Sequence, residues 1–282
     1  MKKILTFIIM LLTISVGCNH NLETSDNEQL NHEKNERNQV EQTVEESIDL
    51  LEGSRLDESV TVDADGRKVV TNPDDLLVVL NKERSLPDDY EPEDFTYELK
   101  RIDDSIAPDE IPDVPFPFEE DLEKKYMRKD AAKALEELFA DAEANGLSLF
   151  AQSGYRSYER QEVVFASNIE RLGEDEAKKV SAAPGQSEHQ TGLSMDVTSP
   201  EVNYRLLVEF EQTREGQWVL ENAHHYGFII RYPKGKELIT GYNYEPWHLR
   251  YVGKEHASFI AENDLTLEEY LSSTVPVYRK DD

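Results

Sequence analysis

Cysteine is nearly absent from this 282-residue chain: Cys18 is the only one, so no intramolecular disulfide can form. Basic residues are also scarce, with 30 Lys+Arg against 59 Asp+Glu, for a formal net charge of −29. So acidic a chain is poorly suited to nucleic acid, whose phosphates require Lys and Arg, and anionic lipid headgroups would repel its folded part. Aromatic residues are missing between Phe7 and Tyr90. Much of that stretch is rich in Asn, Glu, Gln, Asp and Ser and offers too little apolar area to offset chain entropy. After the first 17 residues, no apolar run is long enough to span a bilayer.

The N-terminus reads as an export signal. Met1-Lys2-Lys3 is a basic start, Ile4 to Val16 is a short apolar run, and Gly17-Cys18 is followed at once by polar residues. Ser15-Val16-Gly17-Cys18 resembles a lipobox, which makes Cys18 the expected acylation site. The expected organisation is a lipoprotein signal peptide at 1–17, a lipidated, disordered acidic tether at 18–74, and a catalytic domain at 75–282. The protein would then be exported and held on the extracytoplasmic face of the membrane by its lipid anchor.

Within the domain, Leu76 to Leu80 reads as a first buried strand, and Pro108 to Pro117 as irregular extended chain. Leu135, Leu138, Phe139 and Ala142 recur at helical spacing after Asp130, the expected cap, and Gly146 ends the helix. A second helix is expected over 158–172 and another over 217–226. Strands are expected at 147–152, 194–198, 228–232 and 247–252. Thr266-Leu267-Glu268-Glu269 reads as a capping box. The last strands follow one another through turns, which favours an α+β domain with a mostly antiparallel sheet flanked by helices.

Catalytic zinc commonly takes three protein ligands and keeps a fourth position open. With the cysteine committed elsewhere, ligands must come from His and carboxylates. His189 lies in a polar loop before Gly192. Asp196 lies on an apolar strand, where a carboxylate is costly unless paired or metal-bound. Glu245 and His248 are three apart, which places them on opposite faces of a regular strand. Pro246 between them favours a bulge that would bring both to one side. Taken singly, each of these residues has an ordinary structural explanation. Arg231 and Arg250 read as partners for nearby acids, His224 and His225 as helix-end residues, Tyr232 and Tyr251 as core or sheet-face aromatics, and His256 as a surface residue.

Three blocks stand in order: SGYRSYERQ (153–161), SEHQTGLSMD (187–196) and GYNYEPWHLRYVG (241–253). Together they resemble the zinc D-alanyl-D-alanine carboxypeptidases of the VanY type and the related L,D-carboxypeptidases. The resemblance implies that His189, Asp196 and His248 bind one Zn2+, that Glu245 is the catalytic base, and that Arg156 polarises the scissile carbonyl. It also implies that Gln161, Ser187 and Trp247 line the substrate site. The expected partners are peptidoglycan stem peptides, and the expected state is a monomer. The implied activity is removal of the terminal D-Ala by D,D cleavage. The alternatives are L,D cleavage of a tetrapeptide and a wall-binding lipoprotein with a structural zinc. An exopeptidase must also recognise a free carboxylate, for which Arg156, Arg231 and Arg250 are the available forks.

Overall fold

The structure is a computed structural model that describes residues 59–92, 97–98, 114–118 and 123–272. The expected signal peptide, Cys18 and the tether up to residue 58 lie outside the described residues.

Paired strands begin well before the expected start at Asp75. Strands β1 (Val60–Val62) and β2 (Lys68–Val70) pair antiparallel, and β2 pairs parallel with β3 (Arg84–Ser85). Aliphatic side chains hold this small sheet without needing aromatics from the 19–89 stretch: Val70, Val78, Leu80 and Leu86 are buried together. Leu76 to Leu80 is not a strand. Its carbonyls are taken by two buried guanidiniums: Arg250 donates to Leu76 and Val78, and Arg231 to Leu80. The segment thus satisfies its polar groups without a neighbouring strand.

Strand β4 (Tyr97–Glu98) pairs antiparallel with β5 (Tyr126–Met127). Helix α1 (Lys129–Ala144) follows and buries Leu135, Leu138, Phe139 and Ala142, as its spacing predicts. Its cap is Arg128 rather than Asp130, which sits in the first turn, where its charge suits the positive end of the helix dipole. After β6 (Phe150–Ser153) comes α2 (Tyr158–Leu172), started by Ser157, whose hydroxyl accepts from the Arg160 amide at 3.2 Å. Helix α3 (Glu174–Val180) is joined to it through Gly173.

The functional sheet is built from β6, β7 (Ser194–Thr198), β8 (Phe228–Tyr232) and β9 (Glu245–Tyr251), in the order β6-β7-β9-β8, all antiparallel. Central β7 is buried along its whole length, so Ser194 and Asp196 need internal partners. Helix α4 (Arg214–Asn222) and a 3-10 turn at Ala223–Tyr226 precede β8. The β8–β9 connection holds one helical turn, α5 (Glu237–Thr240), where the sequence predicts only a turn. The chain continues through α6 (Lys254–Glu262) and α7 (Leu267–Leu271), the latter started by the Thr266/Glu269 capping box. One core joins α1 to the sheet through Leu138, Phe139, Met195, Val197 and Leu249. The α+β class with a mostly antiparallel sheet is the architecture observed.

Candidate active site

Asp196 and His248 are direct cross-strand partners in β7 and β9. His189 reaches the same point from a 3-10 turn at Glu188–Thr191, which Gly192 ends in the left-handed region. The three are buried, and one donor atom from each lies within 4.8 Å of the others. His189 Nδ1 donates to the Gly154 carbonyl at 2.7 Å, which turns Nε2 toward Asp196 Oδ2 at 3.3 Å. Gly154 must be glycine for this approach: a Cβ there would meet the Tyr126 carbonyl at 2.6 Å and Met195 Cε at 2.8 Å. His248 Nδ1 lies 2.9 Å from Asp196 Oδ1, and its Nε2 faces Glu188 Oε2 at 3.5 Å. That Nε2 is buried without a proper hydrogen bond.

This donor set fits zinc. Donors at zinc-ligand distances in a tetrahedron are roughly 3.3 Å apart, close to the 3.3 Å and 2.9 Å spacings between each imidazole and Asp196. Two imidazoles and one carboxylate leave one tetrahedral position free, the pattern of a catalytic rather than a structural site.

Glu245 and His248 do converge. Ile230 pairs with Leu249 and Tyr232 with Glu245, so β9 bulges between the two pairs. Glu245 Oε2 comes within 3.9 Å of His248 Nδ1. Burial pushes the Glu245 carboxyl up to about 7 against the opposing charges of His248 and Arg156, with Asp196 adding to the rise. Burial also pushes Asp196 up, but the two imidazoles outweigh it and hold the carboxyl well below the usual range. For His248, burial favours the neutral ring, but the hydrogen bond to Asp196 and the nearby carboxylates of Glu188 and Glu245 prevail and raise it to about 9.

These residues line a cavity of 250 Å³. Arg156, Ser187 and Trp247 face it, as expected. Gln161 does not reach the wall. It is buried behind Arg156, accepting from its Nη1 at 2.9 Å and donating to the Ala182 carbonyl at 2.6 Å. The second Arg156 terminal nitrogen donates to Ser153 Oγ at 3.2 Å, so the guanidinium is held at two points.

Arg231 and Arg250 are fully buried and committed to structure. Arg231 donates to Glu188 at 2.7 Å and, with both terminal nitrogens, to Glu268 at 2.8 and 2.6 Å. Arg250 donates to the same Glu188 oxygen at 2.5 Å. Sequence reasoning assigns neither acid a part in the site. Glu188 stands beside His189, which is the one available signal, whereas Glu268 is hidden inside a capping box. His256, expected at the surface, is half-buried and bonded to the Tyr270 hydroxyl at 2.7 Å.

The profile of the VanY family, described as D-alanyl-D-alanine carboxypeptidase, matches residues 124–254. YodJ of Bacillus subtilis (strain 168), which bears a provisional carboxypeptidase name, is 50% identical over 206 residues, covering 73% of this chain and 70% of that protein. The chain belongs to the VanY family. Among solved members, the LdcB LD-carboxypeptidase is 50% identical with a TM-score of 0.66, over 74% of this chain and 91% of that one. A vancomycin-resistance D,D-pentapeptidase VanY, solved as a point mutant in complex with Zn(II), is 30% identical with a TM-score of 0.52, over 70% of this chain and 98% of that one. This VanY-family protein is therefore a zinc carboxypeptidase, and His189, Asp196 and His248 form its candidate metal site.

Proposed function

We propose that the protein releases the C-terminal D-alanine from peptidoglycan stem peptides, and that the bond it cuts is the L,D bond of a tetrapeptide. The observation that carries the catalytic reading is the convergence of His189, Asp196 and His248 beside Glu245, with Arg156 on the same cavity wall. The L,D preference is supported by the 50% identity and 91% coverage shared with LdcB. D,D cleavage of a pentapeptide is the second reading, favoured by the family description and by the VanY pentapeptidase.

Zinc, when bound, supplies a Lewis acid that lowers the pKa of water toward ~7 and polarises a carbonyl. Glu245 then takes a proton from the attacking water and delivers it to the leaving amine of D-alanine. Burial of this carboxyl, which favours its protonated form, suits a group that must hold the proton between the two transfers. Arg156, held by Gln161 and Ser153, presents its charge where the carbonyl oxygen becomes an oxyanion, an effect typically worth ~3–4 kcal/mol. Ser187 and Trp247 contribute to the wall against which the peptide rests. Glu188 acts on His248 from behind: an Nε2–H directed at Glu188 leaves Nδ1 as the metal-facing atom.

Mass spectrometry of defined muropeptides tests the reading. Alanine lost from tetrapeptide supports L,D cleavage, alanine lost only from pentapeptide supports D,D cleavage, and no loss from either removes both. Membrane anchoring through acylated Cys18 is part of the same proposal and rests on Ser15 to Cys18. Cys18→Ala should release the protein from membranes, and a mutant that stays bound would defeat the anchor.

A further inference from the structure

The loop that carries His189 has little regular structure of its own to hold it. Residues 185–192 begin and end on glycines at positive φ, Gly185 and Gly192. Between them the loop brings Ser187 to the cavity wall, Glu188 to His248 and His189 to the metal site. Its backbone bonds are short-range: the Gln186 amide donates to the Ala183 carbonyl at 2.9 Å, Gln190 to Ser187 at 3.1 Å and Gly192 to His189 at 3.3 Å. They fix the shape of the turn but not its place in the molecule.

Much of that placement comes from residues 72–92, which lie before the 124–254 span matched by the family profile. The Leu86 amide donates to the Gly185 carbonyl at 2.8 Å. Gln186 Nε2 donates to the Lys82 carbonyl at 3.0 Å, and Gln190 Nε2 to the Tyr90 carbonyl at 3.2 Å. The two stretches touch at Gly185, where a Cβ would stand 3.2 Å from the Leu86 carbonyl oxygen. Arg128 ties the far end: its amide donates to the Gly192 carbonyl and its guanidinium to the Asp74 carbonyl, both at 2.8 Å. The same segment offers the Leu76, Val78 and Leu80 carbonyls to Arg250 and Arg231, the two guanidiniums that hold Glu188. It therefore bears on two metal donors, on His189 through the loop and on His248 through Glu188. Donor distances in a working metal site hold to within about 0.2 Å, so a small drift of this loop weakens metal binding before it unfolds anything.

We infer that residues 72–92 form a clasp that sets the metal-site loop, with Gln186 and Gln190 as positioning residues that act on zinc affinity through His189 without touching the ion. Gln190 is fully buried and Gln186 half-buried, and both reach the clasp through side-chain amides that a substitution can remove. The inference rests on His189, Asp196 and His248 being the zinc site, and it extends the machinery of that site to a segment remote from it in sequence.

Zinc affinity of the metal-free full chain, measured by chelator competition well below the unfolding transition, tests the clasp. The double variant Gln186→Leu/Gln190→Met should bind zinc at least about fivefold more weakly, approaching the 10- to 100-fold range of groups that support metal ligands. Gln186→Leu alone should weaken binding in the same direction by about twofold or more, and it decides the matter if the double variant does not fold. Ile260→Ala, a cavity in the buried face of α6, is the control. It should lower the unfolding midpoint yet leave zinc affinity within about twofold, because lost stability does not enter while the chain stays folded. A folded double variant that binds zinc within fivefold of wild type overturns the clasp. So does an unaltered affinity in Gln186→Leu when the double variant fails to fold, or an equal loss in Ile260→Ala. A wild type that binds no zinc overturns the metal site itself, so the two failures are separable.

Discussion

Two clusters of buried charge meet at Glu188, and they are built on opposite plans. On one side Arg231 and Arg250 meet Glu188 and Glu268, two positive against two negative, with the remaining donors spent on backbone carbonyls. On the other side His189, Asp196, His248 and Glu245 gather lone pairs and carboxylates around a cavity. The first cluster is closed, with its charges neutralised in place. The second is left with groups whose protonation is displaced, Glu245 and His248 upward. Composition alone does not separate structural from chemical charge here. The difference lies in whether the donors and acceptors close on one another or point into space that something else can occupy.

Substitutions should separate the two clusters. The largest effect is expected from Glu245→Gln, which should lower kcat by about 10³-fold or more while one zinc per chain is retained, read by turnover and elemental analysis on the same sample. Loss of the metal along with activity would mean that Glu245 belongs to the ligand set rather than to proton transfer. In the closed cluster, Arg231→Met should leave Glu188 and Glu268 without their shared partner and cost roughly 3–5 kcal/mol of stability, measured by urea unfolding. A change below about 1 kcal/mol would show the cluster to be loose.

Protons and metal should compete in the open cluster. His248 titrates at about 9 in the metal-free site, so below that pH one proton must leave for each ion bound. Zinc affinity should then fall about tenfold per pH unit from 9 toward 7, measured by chelator competition; a pH-independent affinity would contradict it. The smallest effect concerns the cost of holding Glu245 ready. Its folded value is raised from 4.5 to about 7, so the folded state is penalised progressively as pH rises from 4.5 to 7, and the penalty stays constant above that. Glu245→Gln should therefore stabilise the metal-free protein at pH 8 by roughly 1–3 kcal/mol, and at pH 4 by close to nothing, as thermal melts at the two pH values would show.

Local patterns are legible wherever a short stretch decides its own conformation. The α2 limits, the β7 and β8 limits and the Thr266 capping box follow from side-chain periodicity and end signals. Pro246 is a sufficient clue to the β9 bulge, because a residue without an amide proton interrupts the ladder wherever it falls. Leu76 to Leu80 misleads for the complementary reason. Its apolar side chains suggest a buried strand, but its carbonyls are claimed by arginines more than 150 residues away, which no local window contains. A separation of 37 residues likewise hides Glu268 as a partner of Arg231, and tertiary packing places Gln161 behind Arg156 rather than on the cavity wall. The start of order is also earlier than the sequence suggests. Absence of aromatics points to absence of a core, whereas here a few valines and leucines, with Tyr90 packed against them, form the core beside a three-stranded sheet.

The pairing of Asp196 with His248 across adjacent strands has a mechanical consequence. A cation gripped there would act as a rivet through β7 and β9, and the His189–Gly154 contact extends its hold to the end of β6. Sliding either central strand by one residue would separate two donors at once, so the loaded enzyme should resist shear in the middle of its sheet and show it as slower amide exchange along β7 and β9.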